Sequence, residues 1–174
     1  MQPQRFTITI DTREQQPPSF NWVKGWREEF DTEIDTVPVF DFCIKGDTEF
    51  AVERKSLNDF VQSITVTKNY ERELRKIAKA REQFYEGAPI IYVVEASYTD
   101  LVKTYDYSRR KIHPNFVLSR SRSLVYHHGV HVDYVDGKRQ CADRIAGYLR
   151  DRFRTLALAI NIIHMNPMMV HQRV

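Results

Sequence analysis

A run of seven residues, PIIYVVE at positions 89–95, constrains the fold of this chain more than any other segment. Its apolar side chains do not alternate with polar ones, so a strand formed here is buried on both faces of its sheet. Apolar residues recur at helical spacing over residues 70–85 before it and over residues 141–156 after it. The sequence therefore predicts a sheet with helices on both faces, an α/β sandwich.

Further segments extend this sheet. Residues 6–10 read as a strand that delivers Asp11 at its end, and residues 130–135 alternate in the same way. Residues 33–55 hold two strand-like runs around Gly46-Asp47, which is the pattern of a β-hairpin and makes the sheet mixed. The remaining helices are predicted at residues 56–64, capped by Ser56, at 99–103, and at 115–126, ended by Gly129.

Length and composition indicate one domain. With 174 residues, 42% of them hydrophobic, the chain can bury one sizeable core, and we place the domain at residues 1–155 and a helix end with its tail at 156–174. Phe20, Trp22 and Trp26 predict a short helical or irregular connection packed on the core. Cys43 and Cys141 have no disulfide or metal spacing, so we expect buried, reduced thiols.

No apolar stretch approaches the roughly 18 residues of a membrane helix, and the N-terminus lacks the pattern of a signal peptide. We therefore expect no membrane association and an intracellular location, in the cytoplasm or nucleoid or in the nucleus. The formal charge is only +3, but the cations are clustered. Each run alone is commonly a solvated face, whereas two runs interleaved with tyrosines favour a nucleic-acid surface. They are Lys68, Arg72, Arg75, Lys76, Lys79 and Arg81, and Arg109, Arg110, Lys111, Arg120 and Arg122.

The predicted hairpin brings three charged residues to one face. A turn centred near Asp47 pairs residues whose numbers sum to about 94, so Asp41 lies opposite Glu53, within reach of one shared metal ion. Lys55 follows Glu53 by two residues and shares its face, whereas Arg54 points to the other face. The alternative is a hairpin with merely solvated charges, but both acids emerge from apolar runs, where burial of their charge needs compensation.

The same residues lie in a longer sequence that resembles the XPF-type family of structure-specific endonucleases. The string VERKSLNDF matches the family's ERKxxxD motif with Glu53, Arg54, Lys55 and Asp59, and IDTRE matches its first-strand DxRE with Asp11, Arg13 and Glu14. The resemblance extends from about residue 7 to about residue 149. It implies a restriction-endonuclease-like core, Mg²⁺ or Mn²⁺ as cofactor, and cleavage of branched, flapped or nicked DNA in repair or recombination.

The family's metal-binding aspartate follows a glycine, and the literal Gly-Asp of this chain is Gly46-Asp47. A turn there places Asp47 roughly 20 Å along the strand from Glu53, too far to share a metal ion. The string VFDFCI occupies the place of the family's VGDYI, so the resemblance assigns the role to Asp41, with Phe40 replacing the usual glycine.

The predicted catalytic residues are Asp11, Asp41, Glu53 and Lys55. Asp41 and Glu53 are expected to bind Mg²⁺, Asp11 to add a ligand directly or through water, and Lys55 to position the attacking water. Residues with a predicted DNA-binding or supporting role are Arg13, Glu14, Arg54, Asp59 and Arg72. Asp59 is either a support for the metal or Lys55 or a helix N-terminal acid, and Arg72 is a phosphate contact beside a core Tyr70.

The expected partner is DNA. The resemblance also implies a homodimer or heterodimer, here through the C-terminal helices, although no tandem helix-hairpin-helix module follows Arg154. His127, His128 and His131 are not expected to bind metal, because no acid or cysteine has suitable spacing. The alternative functions are a catalytically silent DNA-binding or scaffold domain of the same fold and an RNA-directed nuclease. Retention of every predicted acid favours the enzyme.

Overall fold

The computed structural model describes residues 5–107 and 112–165, with the backbone alone described for 104–107 and 160–165. Within these residues the strands are β1 Phe6–Asp11, β2 Phe30–Asp35, β3 Phe42–Ile44, β4 Val52–Ser56, β5 Ile90–Glu95 and β6 Val130–Tyr134. They form one mixed sheet in the order β2-β1-β3-β4-β5-β6. Strand β3 is antiparallel to both neighbours, and the other pairs are parallel.

Helices cover both faces of this sheet, as the sequence predicts. They are α1 Trp26–Glu29, α2 Leu57–Thr65, α3 Thr67–Gln83, α4 Tyr98–Tyr107, α5 Pro114–His128 and α6 Gly137–Met165, with a 3₁₀ turn at Phe20–Trp22. The Ser56 side chain caps α2 by accepting a hydrogen bond from the amide of Asp59, and Gly129 ends α5 in a left-handed conformation. Both ends agree with the sequence signals.

Strand β5 separates two hydrophobic cores. Tyr92 and Val94 pack with α2, α3, α4 and α5, whereas Ile91 and Val93 pack with α6 on the opposite face. All four side chains are at most 3% exposed, and each contributes about 1.5–3 kcal/mol by leaving water. The prediction of a strand buried on both faces is confirmed.

The hairpin has the predicted register but fewer residues than the sequence indicates. Phe42 pairs with Val52, which fits the predicted sum of 94. Residues 33–35, predicted as part of the hairpin, instead belong to β2, which pairs in parallel with β1. Pro38 offers no N–H to a ladder, and Phe40 has a positive φ of 70°, so the chain turns before β3.

The aromatic connection after β1 differs in one residue from the prediction. Phe20 is buried and Trp26 is partly buried against the α6 core, but Trp22 is 53% exposed. Both cysteines are free and buried, as expected. No described helix is long and apolar enough to cross a membrane. Residues 166–174, the end of the predicted tail, lie outside the described part of the chain.

Candidate active site

Asp41 lies beside Glu53, as the hairpin register predicts. The Asp41 amide donates a 3.1 Å hydrogen bond to the Val52 carbonyl, and its Oδ2 accepts a 2.8 Å hydrogen bond from the Arg54 amide. Among the described residues none donates a hydrogen bond to the other oxygen, Oδ1. The Asp41 carboxylate therefore has one anchored oxygen and one that is available to a ligand.

Both oxygens of Glu53 contact lysine ammonium groups. Nζ of Lys55 lies 2.8 Å from Oε1, and Nζ of Lys76, on α3, lies 2.5 Å from Oε2. Glu53 is 2% exposed, and these two cations offset the cost of burying its charge. In the sequence, Lys76 belongs to a basic run and has no predicted role at the site. Its direction toward the sheet depends on how α3 packs.

Lys55 contacts a second acid that sequence analysis missed. Its Nζ lies 3.0 Å from Oε2 of Glu73 on α3, and Oε1 of Glu73 accepts a 2.5 Å hydrogen bond from the Tyr92 hydroxyl of β5. Glu73 is 3% exposed. A signal was present in the sequence: Glu73 lies three residues after Tyr70 and four before Ile77, on the apolar stripe of its helix.

Burial and neighbouring charge shift the two paired acids in opposite directions. Burial, together with the charge of Glu53, raises the pKa of Asp41 well above its usual value. Burial acts the same way on Glu53, but the ammonium groups of Lys55 and Lys76 outweigh it and hold its pKa below the usual range. Burial opposes the charge of Lys55, yet Glu53 and Glu73 raise its pKa above the usual value, so it remains an ammonium ion.

Asp11 stands next to Asp41 at the end of β1, where its amide donates a 2.8 Å hydrogen bond to the Asp41 carbonyl. Its Oδ1 accepts from the amide and Nε of Arg13, and its Oδ2 accepts from Nη2 of Arg13 and the amide of Val37. Burial raises the pKa of Asp11, but these hydrogen bonds outweigh it and lower the pKa. Asp11 is thus ionised and fully hydrogen-bonded.

Arg54 points to the α6 face, opposite Glu53 and Lys55, as predicted. Its guanidinium binds Glu95 of β5 and lies 3.4 Å from Oε1 of Glu14, in the loop after β1. The three side chains are 8%, 13% and 10% exposed respectively. This buried network joins the strand that carries Glu53 to the loop that follows Asp11. Arg54 and Glu14 therefore brace the site from behind.

The other predicted residues lie near the helices. Asp59 accepts a 2.6 Å hydrogen bond from the Ser56 hydroxyl at the start of α2, which fits its interpretation as a helix N-terminal acid. Arg72 is exposed on α3, and Tyr70 is buried. Asp47 follows the turn after β3 and binds Arg152 of α6 at 2.7 Å, so it has a structural partner on the α6 face.

Metal-binding groups are sparse in the described residues. No three His, Cys, Asp or Glu side chains there lie close enough together to form a metal cluster. His128 packs edge-on against Tyr70 and His131 packs edge-on against Tyr148, as aromatic contacts. Asp41 and Glu53 therefore form a pair of carboxylates and not a cluster of three.

The fold is an α/β domain with a mixed sheet, and a cluster of two acids and a lysine lies on one face of its hairpin. The chain matches the ERCC4 domain family over residues 8–148 and belongs to this family. Family membership confirms the resemblance that the ERK and DxRE motifs indicated.

Solved structures share the fold. XPF from Aeropyrum pernix has a TM-score of 0.63 and 17% sequence identity, covering 89% of this chain and 69% of that one. XPF from Aeropyrum pernix in complex with DNA has a TM-score of 0.63 and 16% identity, covering 87% of this chain and 66% of that one. Among curated proteins no sequence matches significantly.

Proposed function

We propose that this protein is a Mg²⁺- or Mn²⁺-dependent DNA endonuclease that hydrolyses phosphodiester bonds in branched, flapped or nicked DNA. The observation that carries this proposal is the pairing of Asp41 and Glu53 beside Lys55 in a member of the ERCC4 domain family. Asp41 and Glu53 would hold the metal ion. Because Arg13 and Val37 occupy both oxygens of Asp11, we assign it a contribution through water.

The donor set suits a hard divalent cation. Mg²⁺ prefers carboxylate oxygens and retains several waters, so two protein carboxylates are sufficient. Burial and the neighbouring Glu53 raise the pKa of Asp41, and a bound divalent cation would relieve the repulsion between the two acids. When bound, such an ion supplies an activated water and offsets the charge that develops on the phosphate.

The chain's own residues orient the reaction around that ion. Lys55 is 13% exposed and kept charged by two carboxylates, so its ammonium can orient the attacking water and stabilise negative charge on the phosphate. The charges of Asp41 and Glu53 contribute to the raised pKa of Arg13, so its guanidinium lies within electrostatic range of both acids. It therefore adds positive charge at the edge of the site.

A basic surface next to the site supports DNA as the substrate. Lys68, Arg72, Arg75, Lys79 and Arg81 are exposed on α3, which also carries the buried Glu73. The guanidinium of Arg120 lies 4.7 Å from the ring centre of Tyr70, extending this surface to α5. The related XPF from Aeropyrum pernix has been solved in complex with DNA. Arg109, Arg110 and Lys111 lie outside the described residues. A DNA substrate also implies an intracellular location.

A dimer through the C-terminal helices remains part of the proposal. Val125 and Tyr126 of α5 and Leu158 of α6 are large exposed apolar residues on these two helices, which pack on opposite faces of the sheet. The boundary between residues 155 and 156 stays a prediction, and α6 runs across it.

The alternative is a DNA-binding or scaffold domain without catalysis. One observation favours it: lysines contact both oxygens of Glu53, and Arg13 and Val37 bind both oxygens of Asp11. In an enzyme, a metal ion would share a carboxylate oxygen with one of these contacts or replace that contact. The two functions therefore differ in whether a divalent ion enters the site.

The test is cleavage of labelled linear, flap, fork and four-way-junction DNA with Mg²⁺, Mn²⁺ or EDTA. We expect metal-dependent products from the wild type and a loss of about 10²–10³-fold for Glu53→Ala and Lys55→Ala. Asp143→Asn, an exposed change on α6, serves as the control with unchanged activity. Binding without cleavage in either metal would establish the silent domain instead. Matched RNA substrates distinguish an RNA-directed nuclease.

A further inference from the structure

We propose that Glu73 is a positioning residue that holds the Lys55 ammonium group in the site while the carboxylate of Glu53 binds a metal ion. This inference rests on the proposed function. Nζ of Lys55 lies between two carboxylates, 2.8 Å from Oε1 of Glu53 and 3.0 Å from Oε2 of Glu73. Glu53, on β4, is a proposed metal ligand, whereas Glu73 lies on α3 and has no proposed ligand role.

The surroundings of Glu73 suit this task. Its Oε1 accepts the hydrogen bond of the Tyr92 hydroxyl, and Tyr92 is itself fully buried, with its ring packed edge-on against Phe40 at 5.6 Å. One oxygen is thus anchored to the central sheet, and the other faces Lys55. A carboxylate held in this way has little freedom to rotate, so it defines the position of the ammonium group.

Metal binding at Glu53 creates the need for a second carboxylate. An oxygen directed at a divalent ion is a poorer partner for a nearby ammonium group, because the two cations repel each other. Lysine has a flexible four-carbon stem, and without another partner Lys55 would lose its fixed position. Glu73 supplies that partner from α3.

The charge balance of the cluster agrees with this assignment. With all three acids in the ionised form, Asp41, Glu53 and Glu73 contribute three negative charges against the two positive charges of Lys55 and Lys76. A divalent ion turns this excess of one negative charge into an excess of one positive charge. Glu73 thereby keeps the loaded site close to neutral, with a single positive charge toward an incoming phosphate, while retaining Lys55.

The experiment observes Lys55 directly by NMR of protein labelled with ¹⁵N at lysine Nζ, titrated with MgCl₂ alone and without DNA. The signal missing from Lys55→Met assigns the residue. In the wild type we expect the Lys55 signal to persist at saturating Mg²⁺. In Glu73→Gln, which keeps an acceptor for Tyr92, we expect it to shift without metal and to disappear with Mg²⁺. Glu82→Gln, exposed on the same helix, is the matched control and should behave as the wild type.

A Lys55 signal that persists in Glu73→Gln at saturating Mg²⁺ overturns the inference and leaves the proposed function intact. If Mg²⁺ causes no change in the wild-type spectra, the proposed metal site is overturned instead.

Kinetics give a second readout: Glu73→Gln lowers kcat about 10–100-fold with KM unchanged, and causes no further loss in a Lys55→Met background. A purely structural Glu73 would lower activity equally in both backgrounds. Thermal unfolding of the double variant, which removes both charges together, checks the fold.

Discussion

The amide of Arg54 donates a 2.8 Å hydrogen bond to Oδ2 of Asp41. Since the amide of Asp41 donates to the carbonyl of Val52, backbone contacts with β4 hold the Asp41 carboxylate beside Glu53. The two acids are therefore brought together by the hairpin itself, before any ligand binds. This arrangement favours the binding of a cation, but without a cation the repulsion between the two like charges lowers the stability of the fold.

Replacement of Asp41 should raise the stability of the protein and abolish metal binding. Asp41→Asn keeps an acceptor for the Arg54 amide and removes the charge whose pKa is raised by burial and by Glu53. A raised pKa means that the folded state disfavours the ionised form at neutral pH, so the amide stabilises the metal-free protein. We expect a higher free energy of unfolding in urea with EDTA, together with loss of Mg²⁺ binding. Asp143→Asn is the exposed control, and a less stable Asp41→Asn would contradict the argument.

Replacement of Asp47 should have the opposite effects, a lower stability and unchanged metal binding. It pairs with Arg152, and the two side chains are 6% and 8% exposed. Asp47→Asn leaves the buried guanidinium with Glu49, an exposed carboxylate 3.5 Å away, as its remaining ionic partner among the described residues. We therefore expect a loss of about 3 kcal/mol in unfolding free energy. Because Asp47 lies on the α6 face, Mg²⁺ affinity measured by calorimetric titration should not change. Loss of Mg²⁺ binding in this variant would transfer the metal site to the literal Gly-Asp.

Phe40 occupies a left-handed backbone position, where glycine is normally favoured. Its φ is 70°, and its ring is fully buried against Phe84 and Tyr92. Phe40→Ala should cost about 3–5 kcal/mol through the lost ring, whereas Phe40→Gly should cost about 1 kcal/mol less because it relieves the backbone. At Phe42, equally buried but within β3, glycine should be worse than alanine. Urea unfolding of the four variants measures the relative stability of glycine and alanine at each position. If alanine is the more stable at both positions, the backbone at Phe40 is not strained.

The buried network behind the site should be sensitive to its central cation. Arg54→Met leaves Glu14 and Glu95 without their shared partner, and breaking such a buried ionic network costs about 3–5 kcal/mol. The double variant Arg54→Met/Glu95→Gln removes one of the stranded charges and should recover part of this loss. Chemical denaturation of both variants and of Glu95→Gln alone measures the coupling. Purely additive effects would show that Arg54 and Glu95 act independently.

The two thiols should be inert in the folded protein. Burial raises the pKa of Cys43 to about 11 and that of Cys141 to about 12. Almost no thiolate is present near pH 8, so a thiol-specific disulfide reagent should react only after denaturation. The raised values also stabilise the fold below the usual thiol pKa of 9.0, and this contribution is lost as the pH rises from 9.0 through the folded values. Rapid labelling of native protein at pH 8 would exclude this burial.

Much of the candidate site could be predicted from local sequence. The period of two along β4 places Glu53 and Lys55 on one face and Arg54 on the other, and the turn before it sets Asp41 opposite Glu53. Ser56 and Gly129 mark helix ends for similarly local reasons. These features depend on residues only a few positions apart, so their geometry is present in the pattern.

Glu73 and Lys76 could not be assigned to the site in this way. Both belong to a basic amphipathic helix, and their pairing with Lys55 and Glu53 depends on how α3 lies on the sheet. The parallel pairing of β2 with β1 joins segments that are distant in sequence. The ion pairs of Arg54 with Glu14 and Glu95 do the same. Periodicity within a segment does not specify such partners.

By itself the sequence determined the α/β class, the burial of β5, the hairpin register and the motif that carries Asp41, Glu53 and Lys55. Only the tertiary structure decided which side chains neutralise these acids and what holds Lys55. The physical reason is that backbone periodicity and turn chemistry act over a few residues, whereas buried charges are compensated by whichever element the packed core brings against them.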